Sequence, residues 1–355
     1  MKRPGGYHAY RGRGRRWTGR TVLIILAVIL VLLILSFISL SRYLVYTDDG
    51  VKLELPFFQR EEDKDPVKSD LVVDTPQPTE EAVVEQQGYR AAELPLSALT
   101  EGKVKEQLAA KNATAAVFTM KETDGTLHYV AETEAAVSAG VSSADPALNE
   151  AIRAANQEDG LYTVAKISCF RDLGMSSEHK AWSIMADSGY RWRDSGKIRW
   201  ISPANEHACS YLLGVMEELC GLGFDEILLT NCGYPTGAKT ASIAPGENYP
   251  TAPVMRQETV TAFLRQAKEL TERYGVKLSV LTGAETLETG AGEDGQTAAA
   301  LTEHCDRIWV DEQENGISYV NDAVRAEAEE KLVTIHTEET GFTGVEQGMQ
   351  AELSR

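Results

Sequence analysis

Short apolar runs alternate with amphipathic stretches through most of the chain. The amphipathic stretches, among them 146–157, 207–223 and 258–275, place apolar residues at the i, i+3 and i+4 spacing of a helix. Seven apolar runs have the length of buried strands: 91–96, 115–120, 162–170, 226–229, 277–281, 307–310 and 332–335. This alternation predicts an α/β fold, either a (β/α)8 TIM-like barrel or, as the rival, a doubly wound open sheet. We favour the barrel.

Seven strands are one too few for a complete barrel of this type. Either the last strand lies in the weakly patterned tail after Thr337, or the barrel is incomplete. Two residues mark helix ends within the pattern. Asn205 stands where an N-cap would begin the helix at 207–223, and Gly275 stands where the helix at 258–275 would end.

A membrane helix precedes this region. Thr21 to Leu40 contains twenty residues without a charge, enough to cross the hydrocarbon layer as a helix. A cleaved signal peptide is the alternative, but it would have a shorter apolar core and a small-x-small cleavage site, which this stretch lacks. Basic residues cluster before the helix, so the positive-inside rule predicts a cytoplasmic segment at 1–20, a single span in contact with lipid at 21–42, and an extracytoplasmic remainder.

Residues 43–88 are acidic and interrupted by prolines, with too little apolar surface to form a core. We predict a disordered linker there and assign 89–355 to the barrel domain. The net charge of the chain is −18 although its first 42 residues are basic. Nucleic-acid binding requires clustered Lys and Arg, so this composition excludes a nucleic acid as partner of the acidic domain.

Five cysteines, Cys169, Cys209, Cys220, Cys232 and Cys305, all follow the predicted membrane helix. They allow at most two disulfides and leave one thiol over. If Cys209 and Cys220 share one helix, three turns separate them, which is too far for a disulfide. Buried free thiols are therefore the expectation.

Two segments resemble a known family. The first is AAVFTMKETDGTLHY at 115–129, and the second is GLYTVAKISCFRD at 160–172 followed by GYRWRDSGKIRWISPANEHACSYLLGVMEELCGLGFDEI at 189–227. The order of strand, Phe-x-Asp, Trp-Arg-Asp, Trp-x-x-Pro, helix and Gly-Phe-Asp-Glu-Ile is similar to that of the family described as "Putative glycosyl hydrolase domain". The resemblance implies a barrel related to those of α-amylase-like enzymes and an activity on glycans.

The chain departs from the family pattern directly after Ile227. The family continues Gln-Phe-Asp-Tyr-Val-Arg-Phe-Pro, and the positions of its Asp and Arg are occupied here by Thr230 and Gly233. The Asp would stand at the carboxyl end of the fourth strand, where barrel enzymes carry their chemistry. Most glycosidases need two carboxyl groups, and a threonine hydroxyl replaces neither. Whether the chain is an enzyme therefore stays open.

Other acidic residues follow candidate strands and could supply the missing chemistry. We name Glu285 as the candidate proton donor and Asp172 or Asp311 as its catalytic partner. Asp225 and Glu226 begin a strand instead of ending one, and that end of a barrel serves stability. We interpret those two residues as structural.

Aromatic residues crowd the long segment after the third strand. Flat rings beside polar side chains suit sugar rings, although packing of the segment onto the barrel is an equal alternative. Trp309 lies within an apolar run and is predicted to be core. The candidate substrate-binding residues are Trp182, Tyr190, Trp192, Arg193 and Trp200 in this segment, with Lys121, Thr230 and Asn231 at strand ends.

The sequence thus predicts a membrane-anchored, extracytoplasmic domain that binds or acts on cell-envelope carbohydrate and is degenerate in catalysis. Two alternatives stand beside it: an active glycosidase with relocated carboxylates, and a non-enzymatic scaffold for another envelope protein. The histidines and cysteines lack the paired spacing of a zinc site, so neither a metal nor a cofactor is predicted.

Overall fold

The computed structural model describes residues 44–47, 50–53, 89–311, 317–336 and 349–353. Within those ranges no helix combines the length and the apolar character needed to cross a bilayer, and the predicted span at 21–42 lies outside them. Most of the predicted linker also lies outside them. At its start, however, strands Leu44–Thr47 and Gly50–Leu53 form an antiparallel pair. Their Val, Tyr and Thr residues favour extended backbone.

Eight parallel strands close into a barrel, with β8 paired to both β7 and β1. The strands are β1 Arg90–Glu93, β2 Ala115–Lys121, β3 Tyr162–Ser168, β4 Glu226–Thr230, β5 Lys277–Thr282, β6 Arg307–Asp311, β7 Leu332–His336 and β8 Met349–Glu352. The seven predicted strands are confirmed. The eighth lies in the tail after Thr337, so the barrel is complete.

Helices connect the strands and cover the outside of the barrel. They are α1 Ser97–Thr100, α2 Val104–Ala110, α3 Glu134–Ala139, α4 Pro146–Asn156, α5 Leu173–Glu178, α6 Glu206–Gly221, α7 Pro253–Tyr274, α8 Ala284–Thr289, α9 Ala298–His304 and α10 Asp322–Glu329. Both predicted helix ends are confirmed. The Asn205 side chain accepts hydrogen bonds from the amides of His207 and Ala208, and Gly275 ends α7 in the left-handed conformation at φ 70°.

Alternate strand residues face two separate cores. One set of strand side chains packs against the helices and includes Phe118, Ile167 and Leu229. The other set fills the barrel and includes Val117, Val164, Leu228 and Trp309. Trp309 is completely buried, which confirms its predicted place in the core. All five cysteines are buried and free, as expected.

A polar network closes the amino-terminal end of the barrel. The buried Glu226 carboxylate accepts hydrogen bonds from Tyr89 (3.1 Å), Tyr162 (2.9 Å) and Ser279, and forms an ion pair with Arg307. Asp225 accepts a hydrogen bond from the Thr163 amide at 2.7 Å. Both carboxylates hold the fold together, which confirms their structural interpretation. The opposite, carboxyl end of the barrel is left as the place for a functional site.

Candidate functional site

A three-residue polar cluster lies at the carboxyl end of the barrel, on the inward-facing sides of β1, β2 and β3. Its residues share the strand parity of Ala91, Val117 and Val164, which fill the barrel below them. We call Glu93, Thr119 and Lys166 the mouth cluster.

Two residues of the mouth cluster contact the same carboxylate oxygen of the third. Glu93 Oε1 accepts a hydrogen bond from Thr119 Oγ1 at 2.5 Å and lies 2.5 Å from Lys166 Nζ. The side chains of Glu93 and Lys166 are 11% and 16% exposed, so both remain within reach of a ligand. Charge-assisted hydrogen bonds at this distance hold the two ionised groups in place. The cluster can therefore offer a fixed acceptor and a fixed donor to the hydroxyl groups of a sugar.

Neutral polar groups end the neighbouring strand β4. Thr230 Oγ1 donates to the Ile167 carbonyl at 3.1 Å, and Asn231 Nδ2 donates to Ser168 Oγ at 3.1 Å. Asn231 adopts φ 49°, a left-handed conformation that asparagine tolerates better than most residues. Both Thr230 and Asn231 are partly exposed. The strand end that would carry the family carboxylate thus carries a hydroxyl and an amide.

A second acidic group lies in the loop that follows α8. Burial, with a smaller contribution from the Glu285 carboxylate, raises the pKa of Asp294 to about 6, although two backbone amides and Arg256 act to lower it. Glu285 is exposed and lines a cavity of about 230 Å³ together with Arg256 and Gly295. The Asp294 carbonyl accepts a hydrogen bond from the Tyr234 amide, which joins this loop to the one after β4.

Asp172 and Lys121 do not reach the candidate site. Their side chains are completely buried and form an ion pair at 2.7 Å, and Asp172 also caps α5 by accepting from the Met175 amide. A register shift in β2 explains this position: Thr119 pairs with Lys166, but Lys121 pairs with Ile167, which faces the helices. The structure therefore places the predicted catalytic residue Asp172 and the predicted substrate-binding residue Lys121 in a buried ion pair, away from the mouth cluster.

The aromatic residues of the long segment after β3 divide into buried and accessible groups. Trp192 and Trp200 are 2% and 8% exposed, and their indole nitrogens donate to Ser242 Oγ and to Asp194 Oδ2 at 3.1 Å each. These two residues pack the segment, as the alternative to stacking on sugar predicted. Trp182 is partly exposed and stacks on His179, and Tyr190 is 78% exposed.

Asp311 is the last residue of β6 and lies at the same end of the barrel, while its side chain falls outside the described part of the structure. Among the described residues, no three His, Cys, Asp or Glu side chains come together in a way that could hold a metal ion.

A family model described as "Putative glycosyl hydrolase domain" matches residues 98–310, which is more than half of the chain. The chain belongs to this family. The match extends from α1 to β6 and so contains the departure at Thr230. No curated protein is similar enough to this chain to count as a match.

The chain is also similar to several solved structures. The glycoside hydrolase domain of PgaB (BpsB) from Bordetella bronchiseptica is 9% identical, with 75% of this chain and 94% of that domain covered and a TM-score of 0.51. A hypothetical protein of Ruminiclostridium thermocellum is 20% identical, with 54% and 96% covered and a TM-score of 0.45. A Group II chitinase domain of Ostrinia furnacalis is 12% identical, with 71% and 64% covered and a TM-score of 0.41. The likeness to the PgaB domain shows the barrel fold alone.

This family member carries site residues that the sequence reasoning missed. Glu93 was not recognised as a strand-end residue because the first strand was predicted to extend to residue 96, three residues beyond its true end. Lys166 was not recognised because it lies inside an apolar run. The alternation Tyr162, Val164, Lys166, at intervals of two residues, nevertheless marks its side chain as inward-facing. Asp294 carried no signal, because only its burial distinguishes it from the other acids of its loop.

Proposed function

We propose that this protein is a membrane-anchored, extracytoplasmic member of the family that binds cell-envelope carbohydrate at the mouth of its barrel and has lost the usual hydrolytic step. The membrane anchor and the outer location rest on the apolar run at 21–42 and the basic residues before it. Family membership and the glycoside-hydrolase-type barrel support a sugar as ligand.

The mouth cluster is the observation that carries the binding proposal. Polar side chains with fixed donors and acceptors are what sugar hydroxyls require, and the cluster stands where barrel enzymes bind their substrates. Glu93 is neutralised by Lys166, which favours recognition over acid or base chemistry.

The loss of hydrolysis rests on β4. Retaining and inverting glycosidases alike use a pair of carboxyl groups beside the scissile bond. Thr230 cannot attack or stabilise an oxocarbenium ion as a carboxylate would, and its hydroxyl is already bonded to the Ile167 carbonyl. The family mechanism therefore lacks one of its two groups.

The test is a binding assay on full-length protein in mild detergent with fragmented envelope polysaccharide. Lys166→Met should weaken retention about tenfold, because it removes a charge-assisted donor and leaves Glu93 without that partner. Lys268→Met is the matched control, since Lys268 pairs with Asp306 at 2.8 Å with similar exposure but sits on the outer helix α7. Equal retention by both variants would refute the proposed site.

A working glycosidase with relocated carboxylates is the second candidate, and Asp294 favours it. A carboxyl group with a pKa of about 6 is protonated often enough near neutral pH to serve as a general acid, and Glu285 is the nearby carboxylate. Under this alternative the wild-type protein releases reducing ends, and both Asp294→Asn and Glu285→Gln abolish release. Glu150→Gln, an exposed acid on α4, is the control.

A further inference from the structure

Three arginines share one face of the segment between β3 and α6. Arg193 lies directly opposite Arg199 in an isolated antiparallel bridge, and Arg191, two residues earlier, forms another such bridge with Met185. Residues opposite each other, and residues two apart, point to the same side of such a pairing. Their neighbours Trp192 and Trp200 point to the other side, where they are buried.

The three arginines have no acidic ion-pair partner among the residues that the structure describes. Asp194, the nearest acid along the chain, is paired with Arg171 at 2.6 Å. Arg191 donates a hydrogen bond to the Ser177 carbonyl at 3.0 Å, and Arg199 donates one to Ser177 Oγ at 2.7 Å. Within the described parts of the chain, no carboxylate forms an ion pair with any of the three guanidinium groups.

The three charges also act on one another. Desolvation lowers the pKa of Arg199, and the positive charges of Arg193 and Arg191 lower it further. Like charges placed opposite each other in a strand pair cost stability. In a chain with a net charge of −18, acids to neutralise such a cluster are abundant, yet this face has none paired with it.

We propose that Arg191, Arg193 and Arg199 form a subsite for an oxyanion, a carboxylate or a phosphate, carried by the glycan that the barrel takes up. A guanidinium group presents paired N–H donors that match the geometry of either anion. This inference rests on the proposed function and narrows its ligand to an acidic glycopolymer.

The test compares three probes at constant ionic strength on full-length protein. Oligogalacturonate carries carboxylates, its carboxyl-reduced form is neutral with the same backbone, and poly(glycerol phosphate) carries phosphodiesters. At least one anionic probe should bind about tenfold more tightly than the neutral probe, and the preferred one identifies the anion. Arg193→Gln should remove that preference, and Arg193→Lys should retain part of it.

Arg153→Gln is the matched control, because Arg153 is an exposed arginine on the outer helix α4. Arg193 is itself exposed and lies opposite a like charge, so Arg193→Gln should not lower the thermal midpoint. Equal affinity of wild-type protein for all three probes, or equal losses in Arg193→Gln and Arg153→Gln, would overturn the inference. If the wild-type protein still binds the neutral probe and Lys166→Met weakens that binding, the proposed function remains supported. If no probe binds, both the anionic subsite and the proposed function are refuted.

Discussion

Replacing Trp192 with alanine should destabilise the protein strongly, although its loop position and its aromatic neighbours first indicated a sugar contact. The side chain is 2% exposed and its indole N–H donates to Ser242 Oγ at 3.1 Å and to the Lys239 carbonyl at 3.3 Å. Removing a buried aromatic side chain costs about 3–5 kcal/mol through lost burial and the cavity left behind. The two acceptors also lose a donor, so we expect the upper part of that range.

Thermal and denaturant unfolding of purified variants measure this loss. A cost of about 3 kcal/mol corresponds to a fall of about 6–12 °C in the thermal midpoint of a domain of this size. Tyr190→Ala is the control, since an exposed side chain two residues away should change stability by less than about 0.5 kcal/mol. If Trp192→Ala unfolds at the same temperature as Tyr190→Ala, then Trp192 does not anchor the segment and the packing argument fails.

Three further changes test other parts of the structure. The pKa of Asp294 is raised from 3.8 to about 6, so its contribution to stability is present at low pH and is lost as pH rises through about 6. Asp294→Asn should remove that slope in pH-dependent unfolding and stabilise the protein by about 3 kcal/mol near neutral pH. Asp172→Asn leaves the Lys121 charge buried without its partner and should cost about 3–5 kcal/mol in denaturant unfolding; a loss below about 1 kcal/mol would contradict the buried pair. Restoring the family residues by Thr230→Asp with Gly233→Arg should lower the thermal midpoint below that of Thr230→Asp alone, because a Cβ at Gly233 meets the Asp294 carbonyl oxygen at 2.7 Å; equal midpoints would contradict that close approach.

The fold followed from periodicity wherever burial governs the sequence. Parallel strands buried on both faces read as apolar runs, and seven of the eight stand out for that reason. The eighth strand, Met349–Glu352, is too short and too polar to be recognised alone. It becomes a strand because β7 and β1 present unpaired edges on either side of it. These pairing partners exist only in the closed barrel, so the four residues alone do not predict the strand.

The site was harder to predict than the fold, because side-chain direction decides it. Strand alternation would place Lys121 on the inward face, but a one-residue register shift turns it toward the helices and into an ion pair with Asp172. Clustered tryptophans fit stacking and packing equally well by sequence, and only their burial separates the two. The position of Thr230, in contrast, could be predicted by counting strands, because it ends β4. Its expected effect on hydrolysis came from the resemblance to the family, whose pattern has Asp at this position.

The central claim is that this barrel binds envelope glycan without cleaving it, and one measurement tests both halves. Full-length wild-type protein is incubated with fragmented envelope polysaccharide, and retained polymer and newly released reducing ends are measured in the same tubes. We predict retention that Lys166→Met weakens and no release above a protein-free blank. Sustained release that disappears in Asp294→Asn would contradict the loss of hydrolysis, and absence of retention by the wild-type protein would contradict glycan binding itself.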